Sequence, residues 1–147
     1  MLETNIDNMN PEIYSYLFPK LLENGALDVF TTPIMMKKNR PANILSVLCK
    51  EETAELVEAI LFTETTTLGI RKYNVERNEL ERKFEKISTV HGEINLKIAT
   101  KNGSVIKFTP EYEDCNRIAM QTGIPLIQIY NEAVVEGQKK FSKKLNI

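Results

Sequence analysis

The sequence predicts an α+β protein: a ferredoxin-like βαββαβ sandwich over residues 1–80, followed over residues 81–147 by a three-stranded meander and two helices. Three observations carry that expectation. Runs rich in Val, Ile, Phe and Thr alternate with segments whose apolar residues recur at helical spacing. Asn-Gly pairs at Asn24-Gly25 and Asn102-Gly103 punctuate the chain where such segments end. A length of 147 residues suits one folding unit with two subdomains and excludes a large multidomain enzyme.

Residues 2–6 read as a short strand, and Asn10, Pro11 and Glu12 then supply an N-cap, a first-turn proline and a first-turn acid. The helix they open carries Ile13, Tyr16, Leu17 and Leu21 on one stripe and stops at Asn24-Gly25. Residues 26–36 form a second strand. The basic tip Lys37-Lys38-Asn39-Arg40-Pro41 joins it to a third at 42–48. Ala54, Val57, Ile60 and Leu61 mark a helix over 51–63 with two acids in its first turn, and after Glu64-Thr65-Thr66-Thr67 a fourth strand is expected over 68–75. The meander takes 83–90, 93–99 and 104–109, turning at His91-Gly92 and Asn102-Gly103. Thr109 is expected to cap a helix opened by Pro110 and Glu111 and ended by Gly123, and 125–137 form the last helix.

Hydrophobic residues at 42% and charged ones at 27% exclude a disordered chain, because enough apolar surface is present to build a core. With 19 basic against 20 acidic residues the net charge is −1, so no global field draws nucleic acid or an anionic membrane, and neither is expected as a partner. His91 alone, with Cys49 and Cys115, makes neither a zinc finger nor a disulfide framework. The cysteines read as small buried apolar residues, His91 as a turn residue, and the setting as reducing and cytoplasmic. Glu3, Asp7 and Glu12 interrupt any signal peptide, and the longest uncharged stretch, 118–131, holds Gln121, Gly123, Pro125 and Gln128, so export and membrane insertion are not expected. Lys139, Lys140, Lys143 and Lys144 suggest a frayed basic end.

Right-handed crossovers decide which loops share an end of the sheet. The loop after the first strand (7–10), the hairpin tip (37–40) and the loop before the fourth strand (64–67) emerge together. Their chemistry suits a polyphosphate bound with a divalent metal. Lys37, Lys38 and Arg40 offer positive charge, the first helix offers free N–H groups, and Thr65, Thr66 and Thr67 offer hydroxyls. Asp7, with Glu3 or Glu64, offers the hard oxygens that Mg²⁺ or Mn²⁺ accepts, and Arg71 lies nearby. Taken singly, each segment also has a plain reading: a solvated turn for the basic tip, turn and cap residues for Asp7 and Asn8, a strand start for the threonines. On the second strand, Leu27 and Val29 occupy one face and Phe30, Ile34 and Met36 the other. The face without helices therefore calls for cover by the C-terminal subdomain or by another subunit, and a homo-oligomer is expected, with Tyr112 or Asp114 able to reach a neighbour's site.

Five runs, Glu3-Thr4-Asn5-Ile6-Asp7-Asn8-Met9-Asn10-Pro11-Glu12, Gly25-Ala26-Leu27-Asp28-Val29, Met36-Lys37-Lys38-Asn39-Arg40-Pro41, Glu64-Thr65-Thr66-Thr67-Leu68-Gly69-Ile70-Arg71 and Pro110-Glu111-Tyr112-Glu113-Asp114-Cys115, together resemble the C-terminal region of the LarC-type nickel-insertion family. The resemblance implies a CTP-binding domain of an enzyme that inserts Ni²⁺ into pyridinium-3,5-bisthiocarboxylic acid mononucleotide. A nickel–carbon bond forms, CTP is consumed, and Mg²⁺ or Mn²⁺ is needed. The product is the nickel-pincer cofactor of lactate racemase, and the activity is of the lyase class. On this resemblance Lys37, Lys38 and Arg40 contact phosphate, Thr66, Thr67 and Arg71 add contacts, and Asp7 binds metal; no residue is singled out as catalytic. The family often has Asp where this chain has Asn8, and Gly where it has Asn39; the first exchange removes charge near the metal, while asparagine still tolerates a left-handed turn. The family's histidine-rich N-terminal region has no counterpart here, which suggests an excised or separately made C-terminal domain that retains nickel poorly. The competing expectation is a regulatory or oligomerisation module on the same fold.

Overall fold

The structure, a computed structural model, describes residues 1–141. Two compact units follow one another along the chain, one from Met1 to Glu76 and one from Arg77 onward. The first contains β1 (Leu2–Ile6), α1 (Glu12–Glu23), β2 (Ala26–Met36), β3 (Arg40–Cys49), α2 (Glu51–Glu64) and β4 (Arg71–Lys72). Its sheet has the order β2-β3-β1-β4, with every pair antiparallel, which is the expected split-βαβ arrangement. The second contains β5 (Glu81–Thr89), β6 (Gly92–Lys101) and β7 (Ser104–Pro110) as an antiparallel meander, with α3 (Tyr112–Thr122) and α4 (Leu126–Phe141).

Each unit has its own core. In the first, Leu2, Ile6, Leu45 and Val47 of the sheet meet Leu17 and Leu21 of α1 and Val57, Ile60 and Leu61 of α2. In the second, Ile94, Leu96 and Ile98 of β6 meet Cys115 and Ile118 of α3 and Ile129, Ala133 and Phe141 of α4. Cys49 and Cys115 are both free thiols, and burial pushes each thiol pKa up, as expected of packing residues. His91 lies in the β5–β6 turn, its Nε2 3.4 Å from a Glu132 carboxylate oxygen. No helix among the described residues is long and apolar enough to cross a membrane.

Local signals explain most boundaries. Asn10 Oδ1 accepts the Glu12 N–H at 3.0 Å, so Asn10 caps α1 and Pro11 takes its first helical position. Pro19 inside α1 removes one ladder bond, yet the helix runs through it because Leu17 and Leu21 are fully buried on either side. Pro33 and Pro110 sit on the edge strands β2 and β7, where a missing N–H costs least.

Four expectations are corrected. The fourth strand, expected over 68–75, shrinks to Arg71–Lys72, because the preceding loop is held by side-chain bonds to Thr67 and leaves Leu68 99% exposed. Pro110 does not open α3; it pairs with Leu96 as the last residue of β7, and Glu111 donates its N–H to Asn95 O at 2.8 Å, so the helix starts at Tyr112. Leu27 does not share the packed face with Val29, because a bulge between Ala26 and Asp28 turns it outward to 50% exposure. Lys139 and Lys140 are not frayed but lie in the last turn of α4, where Lys140 donates to Lys86 O at 2.9 Å; Lys143 and Lys144 lie outside the described residues.

Gly137 in α4 offers a test of the second core. A Cβ there would meet the Phe108 ring edge and come within 2.9 Å of Leu96 Cδ1. Helix propensity alone favours Gly137→Ala by about 1 kcal/mol, whereas overpacking costs about 1–3 kcal/mol. Urea unfolding is expected to show the variant less stable than the parent; a stabilised variant would mean that the ring moves aside freely.

Candidate functional site

The alternation of β1 sends Leu2, Thr4 and Ile6 into the core and Glu3 and Asn5 to the opposite face, the one without helices. Asp7 follows at once. Arg40, the first residue of β3, reaches across the sheet end and donates from Nη1 to Asp7 Oδ2 at 3.1 Å. Thr66 donates its hydroxyl to Asn8 Oδ1 at 2.6 Å. The three segments that topology places at one end are therefore joined by direct contacts: the loop after β1 to the hairpin tip through Asp7 and Arg40, and to the loop before β4 through Asn8 and Thr66.

The hairpin tip is a 3₁₀ turn at Lys37–Asn39 with Lys38 at φ 62° and Asn39 at φ 55°. Left-handed geometry at Asn39 matches the turn expected there. The same geometry at Lys38 is unfavourable for a long side chain, and it holds the lysine out at the tip. Lys37 and Lys38 are exposed and have no ion-pair partner among the described residues. Residues 1–76 are acidic, with seven Lys or Arg against eleven Asp or Glu, so the gathering of Lys37, Lys38, Arg40 and Arg71 at this end and face runs against the local balance.

The threonines divide the work. Thr65 accepts the Thr67 N–H at 3.2 Å and donates to Leu61 O at 2.7 Å, closing the end of α2. Thr67 turns inward at 9% exposure; its hydroxyl meets that of Thr4 and donates to Gly69 O at 3.0 Å. Thr66 alone presents its hydroxyl at the sheet end. Arg71 donates from Nη2 to Asn5 Oδ1 at 2.7 Å and lies 3.7 Å from a Glu3 carboxylate oxygen.

Of the carboxylates that sequence reading grouped, only Asp7 stands at the sheet end among basic groups. Glu64 is paired with Lys20 of α1, and Glu3 accepts Ser46 Oγ at 3.1 Å farther along the face. Among the described residues no three His, Cys, Asp or Glu side chains gather as a self-sufficient metal site. The donor set fits a hard cation that brings phosphate oxygens of its own: one carboxylate, Asp7, with the amide oxygen of Asn8 beside it.

Sequence reading named Glu3 but missed Ser46 and Tyr73 beside it. The nearby Glu3 carboxylate pushes the Tyr73 phenol pKa up. Asp114 serves its own unit. It accepts the Asn95 N–H at 2.9 Å, Asn95 Nδ2 at 2.8 Å and Arg117 Nη2 at 3.0 Å, and these bonds, led by the backbone N–H, hold its carboxyl below the usual aspartate value. A depressed carboxylate stabilises the fold above its ordinary pKa and loses that effect as pH falls through the folded value. Asp114→Ala is therefore expected to lower the urea midpoint at neutral pH, with the difference from the parent shrinking below about pH 4; a pH-independent difference would assign the loss to packing instead.

The family model for nickel insertion proteins matches residues 1–130. A pyridinium-3,5-bisthiocarboxylic acid mononucleotide nickel insertion protein of Thermotoga petrophila is 47% identical over 131 residues, which are 89% of this chain and 33% of the relative. Its counterpart in Acetivibrio thermocellus is 50% identical over 131 residues, 89% of this chain and 32% of the relative. The chain thus spans about a third of the length of the curated relatives it matches. A solved structure, the apo C-terminal domain of a cyclometallase involved in the synthesis of the NPN cofactor of lactate racemase, superposes with TM-score 0.87 at 38% identity, covering 93% of this chain and 94% of that one. A crystal structure of a Methanopyrus kandleri protein gives TM-score 0.66 at 27% identity over 96% of this chain and 85% of that chain.

Proposed function

Because this chain belongs to the nickel insertion protein family, we propose that it is the nucleotide-binding part of a cyclometallase that consumes CTP while inserting Ni²⁺ into pyridinium-3,5-bisthiocarboxylic acid mononucleotide. The observation that carries this reading is the joined sheet end, where Asp7 and Arg40 pair beside the exposed cations Lys37 and Lys38. An exposed pair of this kind is worth only about 0–1 kcal/mol, so a ligand can take both partners at little cost. Arg40 then turns its fork to phosphate oxygens, Lys37 and Lys38 add charge, Thr66 donates a hydroxyl, and Thr67 keeps the loop in shape from beneath. Asp7 is the residue for Mg²⁺ or Mn²⁺, which neutralises the triphosphate when bound.

Nickel is cargo here, not a resident cofactor. The chemistry of nickel–carbon bond formation, a lyase-class step, is assigned to the whole enzyme, with the family's N-terminal region as a partner of this domain. The setting proposed is the cytoplasm. A homo-oligomer is proposed as well, its contacts leaving the row from Glu3 to Asp7 open.

Calorimetric titration tests the reading. CTP with Mn²⁺ is expected to bind, ATP and GTP to bind more weakly, and Lys38→Ala with Arg40→Ala to lower CTP affinity by about tenfold or more, as the loss of two charge-assisted contacts implies. Undiminished binding in that double variant would move the polyphosphate elsewhere. If the double variant changes oligomer size and not nucleotide affinity, the domain is an assembly module.

A further inference from the structure

The helix-free face of the first sheet carries a second polar cluster along the strand that ends at Asp7. Phe30, Ser46, Glu3 and Arg71 occupy neighbouring positions across β2, β3, β1 and β4, since Phe30 pairs with Ser46, Ser46 with Glu3, and Glu3 with Arg71. Ser46 is 1% exposed and donates to Glu3 at 3.1 Å, so one oxygen of that carboxylate is held from below. Tyr73, two residues after Arg71, lies near enough to Glu3 that the carboxylate pushes its phenol pKa up. Arg71 spans Glu3 and Asn5 while its side chain stays half exposed. Phe30 at 42% and Tyr73 at 45% exposure give the cluster two uncovered aromatic rings.

The chemistry is that of an aromatic heterocycle reader. Glu3 is an acceptor fixed by Ser46, Arg71 is a forked donor beside it, and exposed rings nearby can stack. Four residues separate Glu3 from Asp7, about 13 Å at the strand rise, which is the reach of a nucleotide from base edge to terminal phosphates. Resting on the nucleotide reading above, we propose that Glu3 and Arg71 are the residues that read the pyrimidine, with Phe30 and Tyr73 flanking the ring and the ligand lying along β1.

Cytosine presents a 4-amino donor next to the N3 and O2 acceptors, so Glu3 takes the amino group while Arg71 donates to N3 and O2. Uracil presents a carbonyl and an N–H at the same two places. Its O4 would face the Glu3 carboxylate and its N3–H would face the guanidinium, leaving both protein groups opposed rather than paired. Glutamine at position 3 can accept from the amine or donate to the carbonyl, and so loses the distinction.

Calorimetry with Mn²⁺ and three probes, CTP, UTP and inorganic tripolyphosphate, tests this on the wild-type chain, Glu3→Gln and Arg71→Lys. The wild type is expected to prefer CTP over UTP by about tenfold or more, the scale of one good bidentate base contact. In Glu3→Gln the CTP and UTP affinities should converge while tripolyphosphate still binds, and Arg71→Lys should weaken both nucleotides more than tripolyphosphate. A CTP to UTP ratio unchanged in both variants overturns the assignment of Glu3 and Arg71. Wild-type binding of tripolyphosphate with no preference for CTP overturns base reading and leaves the phosphate end standing. Failure of the wild type to bind tripolyphosphate or either nucleotide overturns both readings.

Discussion

Everything at the proposed site depends on the two-residue period of β1 in the middle of its sheet. Hydrogen-bonded on one side to β3 and on the other to β4, the strand can move neither residue by residue nor as a whole without exchanging its faces. A slip by one position would drive Glu3 and Asn5 into the core and expose Leu2 and Ile6, which are nearly fully buried. The core therefore enforces the register, and the register sets a polar row on the opposite face. Thr4 couples the two roles: it is buried among apolar residues, yet its hydroxyl meets Thr67 and donates to Gly69 O at 2.9 Å, which holds the loop before β4 against the strand.

Electrostatics at the sheet end follow from this frame. Asp7 and Arg40 satisfy one another only because β1 and β3 end side by side, and Thr66 reaches Asn8 only because Thr67 anchors its loop. None of these exposed contacts contributes much to stability. Their weakness suits a binding surface, since a charged ligand meets paired side chains in a mobile, hydrated setting rather than a buried pair whose separation would cost several kcal/mol. The rigid part lies beneath, in Thr4, Thr67 and Ser46, where hydroxyls are buried and bonded.

Much of this was legible from residue order. Binary patterning and the Asn-Gly turns mark the elements, and the crossover rule brings residues 7–10, 37–40 and 64–67 to one end. The misreadings share a cause. Residues 68–75 have strand-like composition, but the Thr67 side chain takes both backbone groups of Gly69, so loop bonds and not propensity set the length. Thr109-Pro110-Glu111 looks like a helix start, yet the Asn95 carbonyl and the edge of β6 claim those residues for the sheet. Thr66 and Thr67 are indistinguishable as letters, and only the direction of each side chain separates a presented hydroxyl from a buried brace.

By itself the sequence determined the element order, the antiparallel α+β class and the gathering of charge at one sheet end, because apolar periodicity and the handedness of crossovers are properties of a chain read locally. Tertiary structure alone decided which charges meet. The Asp7–Arg40 pair spans 33 residues and the Glu3–Ser46 bond 43, distances over which no local pattern carries information. It also decided the second cluster. Glu3 and Arg71 are candidates in the sequence for metal and phosphate, and with Asn5 they face one another only once strand pairing has placed β4 beside β1 and left that face of the sheet without helices.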